Sequence, residues 1–153
     1  MRTPARYGKT PQKTLGSLVV VVGAVVGGVF GSEIGRSAVR AFFGGGASID
    51  AKLAATASQM NATLPMMVDQ NTRLDTTIAM PGQKFCYVYT IVNMDPMPAG
   101  DDIEAMMRPL LLNNYRTAPE MQELRDANVT LVYKYRDEQG RQLSTFEIAV
   151  ADL

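Results

Sequence analysis

The chain carries two kinds of hydrophobic pattern, and they meet at a triple glycine. From Leu15 to Ser32 eighteen residues run without a charge. After Gly44–Gly46 the apolar positions become periodic. Ile49, Leu53, Ala57 and Met60 recur at helical spacing behind Ser48, a good N-cap, and Pro65 closes the segment, so 48–62 reads as an amphipathic helix. Two β-type runs follow, TRLDTTIAM at 72–80 and KFCYVYTIV at 84–92, joined by a tight turn through Pro81-Gly82. In the first run Leu74, Thr76, Ile78 and Met80 take one face, with Arg73, Asp75 and Thr77 opposite. The second is apolar on both faces, which marks a central strand.

Beyond the proline-broken loop MDPMPAG, Ile103, Met106, Met107, Leu110 and Leu111 stand at i, i+3, i+4, i+7 and i+8. This is a helical core face, with acids in the first turn where the helix dipole favours them and a kink expected at Pro109. Thr117-Ala-Pro-Glu120 has capping-box spacing and opens a second, short helix to about Ala127. VTLVYKYR at 129–136 and RQLSTFEIAV at 141–150 then form a hairpin about Glu138-Gln139-Gly140. The order helix, hairpin, two helices, hairpin predicts an α+β domain: an antiparallel four-stranded sheet made of two hairpins, with helices packed on one face.

The uncharged run changes the picture of the whole chain. At about 1.5 Å of rise per residue it makes roughly 27 Å of helix, close to the hydrocarbon thickness of a bilayer. Gly23, Gly27, Gly31 and Gly35 recur every fourth residue and line one helix face with bare backbone, the pattern that lets a second membrane helix approach closely. A dinucleotide loop G-x-G-x-x-G fails because position 25 is Val, and the GKT at 8–10 lacks both the leading glycine of a Walker loop and a preceding strand. A cleaved signal peptide shares the basic lead, but the run is long for its apolar core. A soluble buried helix is disfavoured by five glycines in eighteen residues.

Charge divides at the same place. Lys+Arg and Asp+Glu are 15 each overall, yet the chain up to the triple glycine holds six cations and one acid (+5), and the remainder nine cations and fourteen acids (−5). Arg2, Arg6, Lys9 and Lys13 before the span outnumber Arg36 and Arg40 after it, which places the N-terminus in the cytoplasm. The expected organisation is a basic cytoplasmic tail at 1–14, a glycine-zipper transmembrane helix with a juxtamembrane extension at 15–43, a Gly-rich joint at 44–47 and an extracytoplasmic domain at 48–153. Phe42 and Phe43 then sit at the interface, and the glycines give a flexible joint.

Candidate chemistry is sparse. Histidine is absent, which removes the usual neutral-pH general base, Ser-His-Asp triads and nearly all zinc sites. The single Cys86 lies mid-strand among apolar neighbours and reads as a structural thiol. VDQNTRLDTT at 68–77 gathers Asp69, Arg73 and Asp75, readable as a carboxylate pair, an anion-binding arginine or a solvated loop with an ion pair, and it lacks the order of a calcium loop. Tyr87, Tyr89, Tyr133 and Tyr135 share one sheet face if their strands are neighbours, and form a binding surface if exposed or rim-tipped core if packed under the helices. The sequons Asn61-Ala-Thr63 and Asn128-Val-Thr130 are close to chance for this length. No clustered cationic face suits nucleic acid.

The leading expectation is a single-pass membrane-anchored protein with a non-enzymatic extracytoplasmic binding domain, part of a membrane or envelope assembly. It implies contact with membrane lipid, a protein partner or self-association through the span, no nucleic acid, no cofactor and no metal. Two alternatives stand beside it: a secreted, signal-cleaved binding domain, and a carboxylate-based enzyme at Asp69, Arg73 and Asp75.

Overall fold

In a computed structural model, residues 46–153 are described. The predicted span at 15–43, with Gly23, Gly27, Gly31 and Gly35, the tail at 1–14 and the first half of the joint lie outside the described residues. Among the described residues no helix is long and apolar enough to cross a membrane.

Ser48 caps the first helix, its hydroxyl accepting from the Ala51 amide at 3.3 Å, and α1 runs Ile49–Asn61 with Leu53, Ala57 and Met60 buried. After Pro65 the chain makes a two-residue strand, β1 (Met66–Met67), then β2 (Thr72–Met80) and β3 (Lys84–Ile91). The three-residue turn between β2 and β3 holds Gly82 at φ 80° and Gln83 at φ 59°, left-handed conformations that reverse the chain within Pro81–Gln83. A single helix, α2, spans Gly100–Thr117 with Pro109 inside it, burying Ile103, Met107, Leu111 and Tyr115. A 3-10 turn at Pro119–Met121 leads into the short α3 (Gln122–Asp126). The expected capping box does not form, because the Thr117 hydroxyl donates back to the Asn113 carbonyl at 2.8 Å. β4 (Thr130–Arg136) and β5 (Gln142–Ile148) close the chain, followed by a 3-10 turn at Val150–Asp152.

The fold is α+β, but the sheet is five-stranded and mixed rather than four-stranded and antiparallel. Its order is β1-β2-β3-β4-β5, with β3 and β4 parallel and the other pairs antiparallel. The correction has a physical cause. The helices between Ile91 and Thr130 carry the chain back along the sheet, so β4 starts at the same end as β3; only a long crossover permits this. β1 escapes pattern reading because two residues show no period.

α1, α2 and α3 cover one face of the sheet. Their buried residues join Leu74, Phe85, Tyr87, Tyr89, Ile91, Leu131, Tyr133, Tyr135, Phe146 and Ile148 in one core. The opposite, outer face carries a separate small cluster of Cys86, Val88 and Val132, with Met80 against it. At the C-terminal end of the sheet Gly100 presses on β5: a Cβ there would lie 2.0 Å from the Leu143 carbonyl oxygen, so only glycine fits.

Candidate functional site

A β-bulge in β2 organises the polar cluster of the outer face. Before it, Arg73 lies opposite Thr90 and Leu74 opposite Tyr89; after it, Thr76 lies opposite Val88 and Thr77 opposite Tyr87. Asp75 is the extra residue. The bulge shifts the alternation by one, so Leu74, Thr77 and Ala79 pair with the core-facing residues of β3 while Ile78 pairs with Cys86 on the outer face. The simple alternation expected of 72–80 is therefore replaced at Asp75.

The cluster has three arms on one carboxylate. Arg73 Nε donates to Asp75 Oδ1 at 2.5 Å, Thr90 Oγ1 donates to Oδ2 at 2.5 Å, and Arg136 Nη2 stands 3.7 Å from Oδ2. Thr90 and Arg136 are neighbours because β3 and β4 run parallel with those two residues in register. Burial pushes the Asp75 carboxyl up, but the bonds from Arg73 and Thr90 and the two guanidinium charges outweigh it and hold the group below its ordinary value. The Arg73 guanidinium is in turn pushed up, chiefly by its bond to Asp75. Asp75 is thus an ionised, committed acceptor rather than a general base. The Arg73 and Arg136 side chains stay 41% and 39% exposed, so the arrangement presents two guanidiniums held by one acid, suited to receiving an anionic group.

Asp69 stands apart from this cluster. Its Oδ1 accepts from the Asn71 amide at 2.7 Å in the loop before β2, and its charge bears on the Tyr135 hydroxyl in the core. Asp69 and Asp75 belong to separate networks and do not form a carboxylate pair. Cys86 is fully buried, and burial raises its thiol above the usual value. Among the described residues no group of three or more Cys, Asp or Glu is placed to hold a metal ion.

The four tyrosines do share one sheet face, with Tyr87 opposite Tyr133 and Tyr89 opposite Tyr135, their rings stacked at 5.5 and 5.2 Å. That face lies under the helices, all four residues are buried, and burial drives every one of their hydroxyls to higher pKa. The exposed binding surface expected as one reading of these residues is replaced by core packing. Arg136 and Thr90, the residues that complete the cluster, were not singled out from the sequence. Pairing β4 with β5 alone gives no reason to set Arg136 beside Asp75; the parallel register does.

Residues 48–144 match a protein family described as a domain of unknown function, DUF8479. The chain belongs to that family. No curated protein matches it. Among solved structures it is similar to the pilotin EpsS of the Vibrio vulnificus type 2 secretion system, at 10% identity and a TM-score of 0.54 over 76% of this chain and 96% of the other. It is likewise similar to the type II secretion system pilotin AspS from Vibrio cholerae, at 8% identity and a TM-score of 0.52 over 77% and 97%. A Pseudomonas aeruginosa protein described as secreted matches at 12% identity and a TM-score of 0.52, over 71% and 98%. At such low identities these likenesses show the fold alone.

Proposed function

We propose that this chain is a membrane-anchored, non-enzymatic binding protein of the cell envelope, whose domain at 48–153 engages a protein partner during assembly of a larger apparatus. The likeness to two secretion-system pilotins carries the reading, since this chain covers each of them almost end to end. The charge divide and the uncharged run at 15–32 supply the anchor, with the N-terminus cytoplasmic and the domain outside. Gly23, Gly27, Gly31 and Gly35 then form the face on which the anchor associates with itself or with a neighbouring helix. The spent Asp75 carboxylate and its separation from Asp69 support binding over carboxylate chemistry.

The test is fractionation of producing cells with an alkaline wash, followed by protease added from outside. Full-length protein in the membrane pellet, with its C-terminal domain digested from outside, is the expected result. A shortened, soluble protein with a new terminus near Ser32 would replace the anchor by a signal peptide, a reading that the likeness to a protein described as secreted also favours.

A further inference from the structure

The large hydrophobic side chains that stand exposed among the described residues are Met66, Met67 and Ile78, at 36%, 49% and 44%. All three belong to β1 and β2, with Met66 on the helix-covered side opposite Leu74 and Met67 and Ile78 on the outer face. Met66 and Met67 are β1, which pairs with Leu74 and Arg73 of β2, and Ile78 lies further along β2 itself. Met67 shares the outer face with Arg73, its partner in the ladder, and Ile78 shares it with Cys86. Met67 and Ile78 thus flank the Arg73–Asp75–Arg136 cluster along one margin of the outer face.

We propose that this β1–β2 margin of the outer face docks an acidic segment of a protein partner, its carboxylates meeting Arg73 and Arg136 and its apolar side chains resting on Met67 and Ile78. The inference deepens the binding function proposed above and rests on it. Charge selects the face. Arg73, Arg136 and Lys134, two residues from Arg136 on the same side of β4, face Asp75 and Glu138, the latter close enough to act on Arg73. The Arg73–Asp75–Arg136 cluster, with two cations to one acid, is therefore net cationic. The helical side, 48–65 together with 92–129, holds eight acids and four cations, so it repels the same segment. Arg73 spends only its Nε on Asp75, and the Arg136 side chain, 39% exposed, stands 3.7 Å from the same carboxylate, which leaves guanidinium donors for a second acid.

The segment lies on the face rather than adding a strand. Asn61 already occupies the β2 edge: its Nδ2 donates to the Thr77 carbonyl at 2.9 Å and its Oδ1 accepts from the Thr77 amide at 2.7 Å. Anionic lipid has matching charge but the wrong position. The chain enters at α1, whose Asp50 accepts from the Gln83 amide at the β2–β3 turn, whereas the cluster sits at the other end of the same strands. Lys84 to Thr90 spans about 20 Å of strand, and four joint residues reach at most about 14 Å.

The test uses the full chain in its own cells, with benzoylphenylalanine in place of Met67, of Ile78 or, on the helical side, of Gln122. Illumination is expected to give a protein adduct at 67 and 78, and the joined peptide of the partner carries net negative charge. With the photoprobe at 67, Ile78→Glu or Arg73→Glu is expected to cut the adduct about fivefold or more, while Ile78→Lys preserves it. An exposed position tolerates both Ile78 variants, so their opposite outcomes separate charge from misfolding. A lipid adduct, a neutral or basic joined peptide, or equal loss with Glu and Lys overturns the proposal. An adduct at 122 with none at 67 or 78 overturns this margin and leaves the binding function standing; silence at all three overturns both. Fractionation of the same cells reports on the anchor independently.

Discussion

The two faces of the sheet are built from neighbouring residues and do opposite work. On the helix-covered face the odd positions of β3, Phe85, Tyr87, Tyr89 and Ile91, are large and meet Leu131, Tyr133 and Tyr135 of β4, with Phe146 of β5 beyond. Tyr133 stacks on Tyr87 at 5.5 Å and on Phe146 at 5.6 Å, and Tyr135 on Tyr89 at 5.2 Å. On the outer face the even positions, Cys86, Val88 and Thr90, are small, and around them stand Arg73, Asp75, Lys84, Lys134, Arg136 and Glu147. Both patterns look apolar along β3. Side-chain volume, not polarity, distinguishes the face that fills space beneath a helical layer from the face that only shields its own strands.

Adjacent substitutions in β4 break or sharpen that contrast most strongly. Tyr133→Ala removes a ring stacked on two sides within the core and is expected to lower unfolding free energy by about 3–5 kcal/mol in urea titration. Val132→Ala, one residue away on the outer face, removes two methyl groups, and about 1–2 kcal/mol follows. Equal losses would mean that the outer face is packed as a core. The next effect tests how tightly the helical layer is seated. In Gly100→Ala the new methyl would clash with the Leu143 backbone, so α2 or β5 must shift, for a loss of about 1–3 kcal/mol. An unchanged midpoint would show that α2 is not seated on β5 as described.

Much of this was legible in the chain. β2 spans 72–80 as its alternating run indicates, Ser48 caps α1, and the central place of β3 follows from its two apolar faces. Strand direction was not legible, because short turns are visible in sequence while the return path of a crossover is decided by how α2 packs on the sheet. The bulge at Asp75 was hidden for a related reason: either phase of TRLDTTIAM offers plausible inward residues, and the choice depends on Leu74 finding Tyr89 while Thr77 finds Tyr87. The cluster needed both. Arg73 and Asp75 stood out as charges near one another, but Arg136 joins them through the parallel register alone. The four tyrosines share a face because β3 and β4 are neighbours, a condition the sequence leaves open, and the helices above bury that face.

Smaller effects separate the edge of the sheet from its outer surface. Asn61→Ala strips the bonds that close the β2 edge at Thr77, including the Thr77 hydroxyl bond to Oδ1 at 3.0 Å, and is expected to cost about 1–3 kcal/mol with faster amide exchange at Thr77. Asp75→Asn is smaller, below about 1 kcal/mol at pH 7, because its partner Arg73 is well exposed and water screens the pair. Its signature is pH dependence. The folded-state pKa of Asp75 lies below its usual value while an unfolded aspartate titrates near about 3.9, so the stabilisation is complete above that pH and is lost as pH falls through the folded value. Thermal melts of both proteins between about pH 7 and pH 3 should therefore show a gap that narrows on acidification. Asp137, which its bonds and ion pair with Arg141 also hold below the usual value despite burial, is common to both proteins and cancels in the difference. A gap that widens toward low pH would mean that Asp75 is destabilised by its surroundings, and the outer cluster would then be a strained site rather than a stabilised one.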